Sequence, residues 1–244
     1  MWAIFHKLGS PRWFFRISSA LLPWLIALAA VCLLVGVVWG LAYAPEDFKQ
    51  GNSYRIIFIH VPASFIALAG YYVMAAAGAV SLIWKIKLAD VIMQAAAPIG
   101  AAMTFIALFT GAVWGKPTWG TWWVWDARVT SMLVLLFLYL GIVALREAFD
   151  NNDQGGKACA VLALVGTVNI PIIYKSVDWW YSLHQPATIK ITEQSSMHPQ
   201  MFWPLMVMIA GFYLFYTLIL LVYARLEVLR RESRTRWVAE VLSH

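Results

Sequence analysis

Six long, continuously apolar runs constrain this chain more than any other feature. They fall at about Ala20–Ala44, Ile57–Trp84, Val91–Trp114, Val129–Leu145, Ala158–Tyr174 and Phe202–Ala224, each bounded by charges, Pro, Gly or Asn. A helix rising 1.5 Å per residue needs roughly 17–25 such residues to cross a hydrocarbon core of about 30 Å. Helices rather than barrel strands are indicated, because barrel strands alternate lipid-facing and lumen-facing residues. Composition agrees: 62% of the 244 residues are apolar and only 12% are charged, about half the charge of an ordinary soluble domain. The expected fold is an all-α membrane protein, a six-transmembrane-helix bundle forming a single domain over residues 1–244.

Orientation follows from the basic residues. Of the 18 Lys and Arg, twelve fall on the side of the termini, among them Arg12, Arg16, Lys85, Lys87, Arg146, Lys157 and Arg231. Lys49, Arg55, Lys116, Arg128, Lys175 and Lys190 fall opposite. Short cytoplasmic loops hold the positive excess, so both termini are expected in the cytoplasm. The net charge of +6 reflects this asymmetry and does not imply a nucleic-acid partner. Cys32 and Cys159 stand alone, without C-x-x-C or C-x-x-C-H, which excludes a thiol-redox motif and a self-attached c-type haem. No Walker A sequence is present, so this chain carries no ATPase motif of its own. The spans hold few ionisable residues, against a pump or ion-coupled transporter.

The outer side then consists of Pro45–Ile56, Gly115–Arg128 and Lys175–Met201. The middle segment reads Trp119-Gly-Thr-Trp122-Trp123-Val-Trp125-Asp126, with Trp114 just before it. Tryptophan belts occur at both membrane interfaces, but five indoles within twelve residues concentrate the aromatic surface at one place. If the segment is helical, Trp119, Trp122 and Trp123 share a face at i, i+3, i+4 spacing. Such a platform suits a large flat apolar ligand; a quinone, a sterol and a porphyrin all qualify.

Histidines narrow the choice. His60 lies within a turn of the second span's start, and His184 lies in the third outer segment, in Ser182-Leu-His184-Gln. Each reads alone as a satisfied helix-end or loop residue. As a pair from separate segments they can approach one metal from opposite faces, leaving a macrocycle's edge to the tryptophans. His198, before Pro199, is expected to be extended and structural. Asp126 is placed to cap the fourth helix. Arg55 and Arg128 suit a propionate, and ordinary snorkelling explains each equally well; Lys116, Lys175 and Lys190 are weaker candidates.

The Trp119–Asp126 segment, continued by Ala-Arg128-Val-Thr-Ser131, resembles the WWD signature of haem-handling proteins. With six spans, His60 ahead and Ser182-Leu-His184-Gln behind, the whole chain resembles the cytochrome c maturation protein C family (CcmC, haem exporter protein C). Val129 stands where that pattern has Leu. The resemblance implies haem b, iron protoporphyrin IX, held at the periplasmic face of the bacterial inner membrane. His60 and His184 would be its axial ligands, and Trp114, Trp119, Trp122, Trp123, Trp125, Asp126, Arg128 and Arg55 would surround it. It also implies partners: a periplasmic haem chaperone (CcmE) that receives the haem, a small single-span subunit (CcmD), ABC transporter subunits (CcmA, CcmB) and membrane lipid. The implied role is haem transfer of a haem-lyase-like kind rather than a classical enzyme activity. Two other readings remain open at this stage, a membrane b-type cytochrome and a transporter permease subunit.

Overall fold

The computed structural model describes residues 9–184 and 197–243. Six helical segments are long and apolar enough to cross a membrane. The first, α1 (Pro11–Val38), ends in a wider π-helical turn, Trp39–Tyr43. A 3-10 turn at Asn52–Ile56 leads into α2 (Ile57–Trp84), and α3 spans Lys87–Trp119. Next come α4 (Ala127–Glu147), α5 (Asn152–Gly166) and α6 (Asn169–Trp179), then α7 (Pro199–Arg231) and a short α8 (Arg236–Leu242).

The helices extend past the apolar runs because polar residues cap and continue them outside the hydrophobic stretch. The fifth span departs most from expectation, being two helices rather than one. Pro171 lacks an N–H and its ring conflicts with the carbonyl four residues earlier. That carbonyl is Thr167's, and the chain tightens there, Thr167 and Val168 donating to Leu164 and Val165 at 3.2 and 3.3 Å. Asn169 restarts the helix and donates from its side chain to the Ser131 carbonyl on α4 at 2.9 Å.

The core lies among α2, α3, α4 and α5. Ala63, Ala67 and Met74 of α2 pack with Ala96, Met103 and Ala107 of α3 and with Leu135 and Ile142 of α4, all buried. Small residues dominate the α2–α3 contact, because helices in lipid gain contact by close backbone approach rather than by hydrophobic exclusion. Gly100 illustrates the tolerance: a Cβ there would sit 2.1 Å from ring carbons of Tyr139. The α1 helix packs mainly against α7, at Gly36 and Met208 among other sites. The rest of its surface, Trp24, Val31 and Leu34 included, is exposed.

One end of the bundle is tied by charge. Arg146 of α4 pairs with Asp90 of α3 at 3.2 Å, and Arg231 of α7 reaches the same carboxylate at 2.7 Å. Arg231 also binds Glu227 at 2.5 Å and Gln94 at 2.7 Å, while Arg146 reaches the Asn152 carbonyl at the start of α5 at 3.0 Å. A buried and a half-buried carboxylate, Asp90 and Glu227, thus meet two guanidiniums with most donors satisfied, the condition under which such pairs are tolerated away from water. The opposite end, where α3 and α6 finish and α2, α4 and α7 begin, carries the aromatic and histidine residues.

Candidate functional site

A narrow cleft of about 80 Å³ opens at that second end, lined by Gln50, His60, Leu108, Gly111, Trp114, Thr118, Trp119, Trp122, Trp123, Val129 and His184 among others. No acidic side chain lines it among the described residues.

His60 sits in the first turn of α2, where its ring crosses to α3. Its Nδ1 lies 3.0 Å from the Ala107 carbonyl and 3.2 Å from Thr110 Oγ1. A carbonyl only accepts, and the Thr110 hydroxyl already donates to the Ile106 carbonyl at 2.6 Å. Nδ1 must therefore carry the proton, which leaves the Nε2 lone pair free for a metal. The Trp114 ring packs edge-on against it, centres 5.7 Å apart. A Cβ on Gly111 would lie 3.0 Å from the imidazole, so a glycine there leaves the ring room.

His184 follows the end of α6. Its ring centre is 6.4 Å from that of His60, with planes 33° apart, and 6.1 Å from Trp119. Two further contacts hold its segment. The His184 N–H donates to Ser182 Oγ at 3.1 Å, and Ser182 in turn donates to Asp126 Oδ2. Arg128 Nη1 lies 3.4 Å from His184 Nδ1, and since a guanidinium only donates, that nitrogen accepts here.

Asp126 has the expected capping role, its Oδ1 accepting from the Val129 N–H at 2.8 Å. Its other oxygen reaches Ser182, so one carboxylate joins the start of α4 to the histidine-bearing segment. The helical reading of Trp119–Trp125 requires correction. Gly120 adopts φ +80°, a conformation glycine enters without steric cost, and it closes α3 at Trp119. Residues 120–126 are irregular, yet Trp114, Trp119, Trp122 and Trp123 still line one cleft. Trp125 is not among the lining residues; it is exposed and packs edge-on against Trp123, centres 5.4 Å apart.

Arg55 is turned away from the cleft. It donates to the carbonyls of Gly40, Leu41 and Ala44 at 3.0, 2.6 and 2.7 Å and to Asn52 Oδ1 at 2.8 Å. These are the carbonyls left open where α1 ends, so its guanidinium caps that helix. His198 is extended and caps α7, its Nδ1 accepting from the Gln200 N–H at 3.3 Å. Lys116 donates to the Gly120 carbonyl and Lys175 pairs with Asp178, at 3.1 and 3.0 Å; Lys190 lies outside the described residues.

Sequence reasoning missed Gln50, Ala107, Thr110 and Ser182. Only Ser182, two residues before a candidate ligand histidine, carried a local signal. Gln50 is separated from its partner Trp114 by a whole helical hairpin, and its Oε1 accepts from the indole N–H at 2.7 Å.

The profile of the family described as Heme exporter protein C matches residues 4–239. Among similar proteins, the Heme exporter protein C of Escherichia coli strain K12 is 48% identical over 242 residues, covering 99% of this chain and 98% of the relative. That of Haemophilus influenzae is 47% identical over 238 residues, 98% and 97% of the two chains. That of Bradyrhizobium diazoefficiens is 45% identical over 228 residues, 93% and 86%.

Proposed function

This chain belongs to the Heme exporter protein C family, and from that membership and the cleft's geometry we propose that it binds haem and hands it on during c-type cytochrome maturation. The carrying observation is the 6.4 Å separation of the His60 and His184 ring centres. An imidazole nitrogen lies about 2 Å from a first-row metal and about 1 Å from its own ring centre, so trans imidazoles on one metal hold their centres on the order of 6 Å apart. The spacing suits bis-histidine ligation, and the cleft's mostly aromatic and aliphatic lining suits an apolar macrocycle.

His60 is preset for ligation, with Nδ1–H held by α3 and Nε2 bare. His184 differs. Holding iron through Nε2 would require the His184 proton on Nδ1, where it would compete with the Arg128 contact and leave that guanidinium available to a propionate. Trp114, Trp119, Trp122 and Trp123 wall the macrocycle, Trp125 supports Trp123 from outside, and Asp126 positions the His184 segment. Arg55 serves by fixing the end of α1. A ligand histidine in a loop, beside exposed Trp122 and Trp125, gives a site that a docking partner can reach, as a carrier requires.

The basic-residue asymmetry supports cytoplasmic termini and a cleft on the periplasmic face of the inner membrane. The cargo in this reading is haem b and the acceptor a periplasmic haem chaperone (CcmE). A small single-span subunit (CcmD) and ABC transporter subunits (CcmA, CcmB) complete the assembly. The test is the absorbance spectrum of the detergent-purified protein. The wild type is expected to show low-spin bis-imidazole haem, and His60→Ala and His184→Ala to lose it. A His184→Ala protein with a normal low-spin spectrum, while His198→Ala loses its own, would overturn the ligand assignment. Covalent haem on a co-expressed chaperone, scored by peroxidase stain, tests delivery.

A further inference from the structure

We propose that Gln50 is a specificity-determining donor, its side-chain NH₂ hydrogen-bonding a carboxylate on the edge of the bound ligand; this rests on the haem reading above. Gln50 is fixed at every other polar atom. Its backbone N–H donates to Asp47 Oδ1 at 2.8 Å, and its carbonyl accepts from Ser53 N and Oγ at 3.2 and 2.6 Å. Its Oε1 accepts from Trp114 Nε1 at 2.7 Å. An indole N–H is a donor only, so the amide atom facing it has to be the oxygen, and the NH₂ is turned the other way.

That NH₂ has no hydrogen-bond partner among the described residues, and it is not sealed in. Gln50 is half-buried and lines both the cleft and an adjoining groove that includes Tyr54, His198 and Met201. A pre-oriented donor at the mouth of a mostly apolar cleft favours an anionic acceptor, since charge-assisted bonds are stronger than neutral ones. Two features sharpen the assignment. No carboxylate lines the cleft itself among the described residues, Glu46 and Asp47 lying on the side of the adjoining groove. The cation that sequence placed here, Arg55, spends its guanidinium on four protein acceptors. Gln50 also touches the wall of the iron site through Trp114, which packs against His60, so one residue senses the macrocycle's carboxylate edge and braces its ligand.

The experiment titrates the purified apoprotein with iron protoporphyrin IX and, separately, with its dimethyl ester, followed at the Soret band. The wild type is expected to prefer the free acid by at least about tenfold, the fold-change of one hydrogen bond to a charged group. Gln50→Met removes the donor and is expected to cut that preference about tenfold, while its haem spectrum stays bis-imidazole. Gln50→Glu keeps an acceptor for Trp114 but sets carboxylate against carboxylate, and is expected to lose more. Gln50→Asn, an amide one methylene short, supplies the reading if the methionine variant does not accumulate. A wild-type ratio in Gln50→Met, or equal affinity of the wild type for acid and ester, overturns the proposal. A wild type that binds neither porphyrin overturns the haem reading instead.

Discussion

Replacing Ser182 by Ala tests how the loop histidine is held. One hydroxyl joins two parts of the site: it donates to Asp126 Oδ2 and accepts from the His184 N–H at 3.1 Å. Its removal costs a bond to a charged acceptor, about 1.5–3 kcal/mol in general, and a neutral bond of about 0.5–1.5 kcal/mol. The residues are only half-buried, and water recovers part of both, so a net loss of about 2 kcal/mol is the working figure. At 1.4 kcal/mol per decade, haem affinity should fall by roughly tenfold to thirtyfold. Asp126→Ala should show the same affinity loss plus about 1 kcal/mol of helix destabilisation from the missing cap. The double variant should bind no more weakly than Asp126→Ala, because both changes break one chain of contacts. Soret titration gives the affinities and thermal unfolding in detergent the stabilities. A Ser182→Ala protein within threefold of wild type, or strictly additive affinity losses, would refute the reasoning.

Thr110→Val removes one of two acceptors at His60 Nδ1, and since Ala107 retains the tautomer, haem retention should fall by about tenfold, the low end for a ligand-orienting contact, and not vanish; haem content per protein checks this. Gly100→Ala forces a methyl against the Tyr139 ring and should lower stability by roughly 1–3 kcal/mol, read from the detergent unfolding midpoint. Arg146→Met leaves Asp90 paired with Arg231 alone and is expected to cost about 3 kcal/mol while the low-spin haem spectrum is retained; an unchanged midpoint would show the network to be idle. Arg55→Leu uncovers three carbonyls at the end of α1 and should accelerate amide exchange at residues 40–44, with little change in haem affinity.

Much of this architecture is legible along the chain because each span is a local property, a run of apolar residues ended by charge or a turn former. The Asp126 cap was legible for the same reason, since its partner Val129 is three residues away. The break at Thr167–Val168 was harder to read, because a proline inside a long apolar run is compatible with either a kink or a stop. The face assigned to Trp119, Trp122 and Trp123 rested on helical periodicity, and Gly120 ends that periodicity at the first residue after Trp119; the indoles converge by loop geometry instead. Arg55 was assigned by charge type alone, and charge type does not reveal which acceptors lie within reach. Gln50 with Trp114, Ser182 with Asp126, and Asp90 with Arg146 and Arg231 are pairings across 56 or more residues. No periodicity encodes them, and only the packed bundle brings them together.

The charged tie at the far end has a consequence for biogenesis. Asp90 and Arg146 are synthesised well before Arg231 and Glu227, which lie in the last turns of α7. Until that final segment emerges from the ribosome, Asp90 has Arg146 alone and the α3–α4 pair lacks its third strut. His184, which precedes α7, has by then already been synthesised. The cleft's second histidine is thus made before the clamp that locks the bundle, so a nascent chain stopped short of Arg231 carries every cleft residue on a scaffold not yet fastened. Crosslinking between α3 and α7 in staged nascent chains would time the closure.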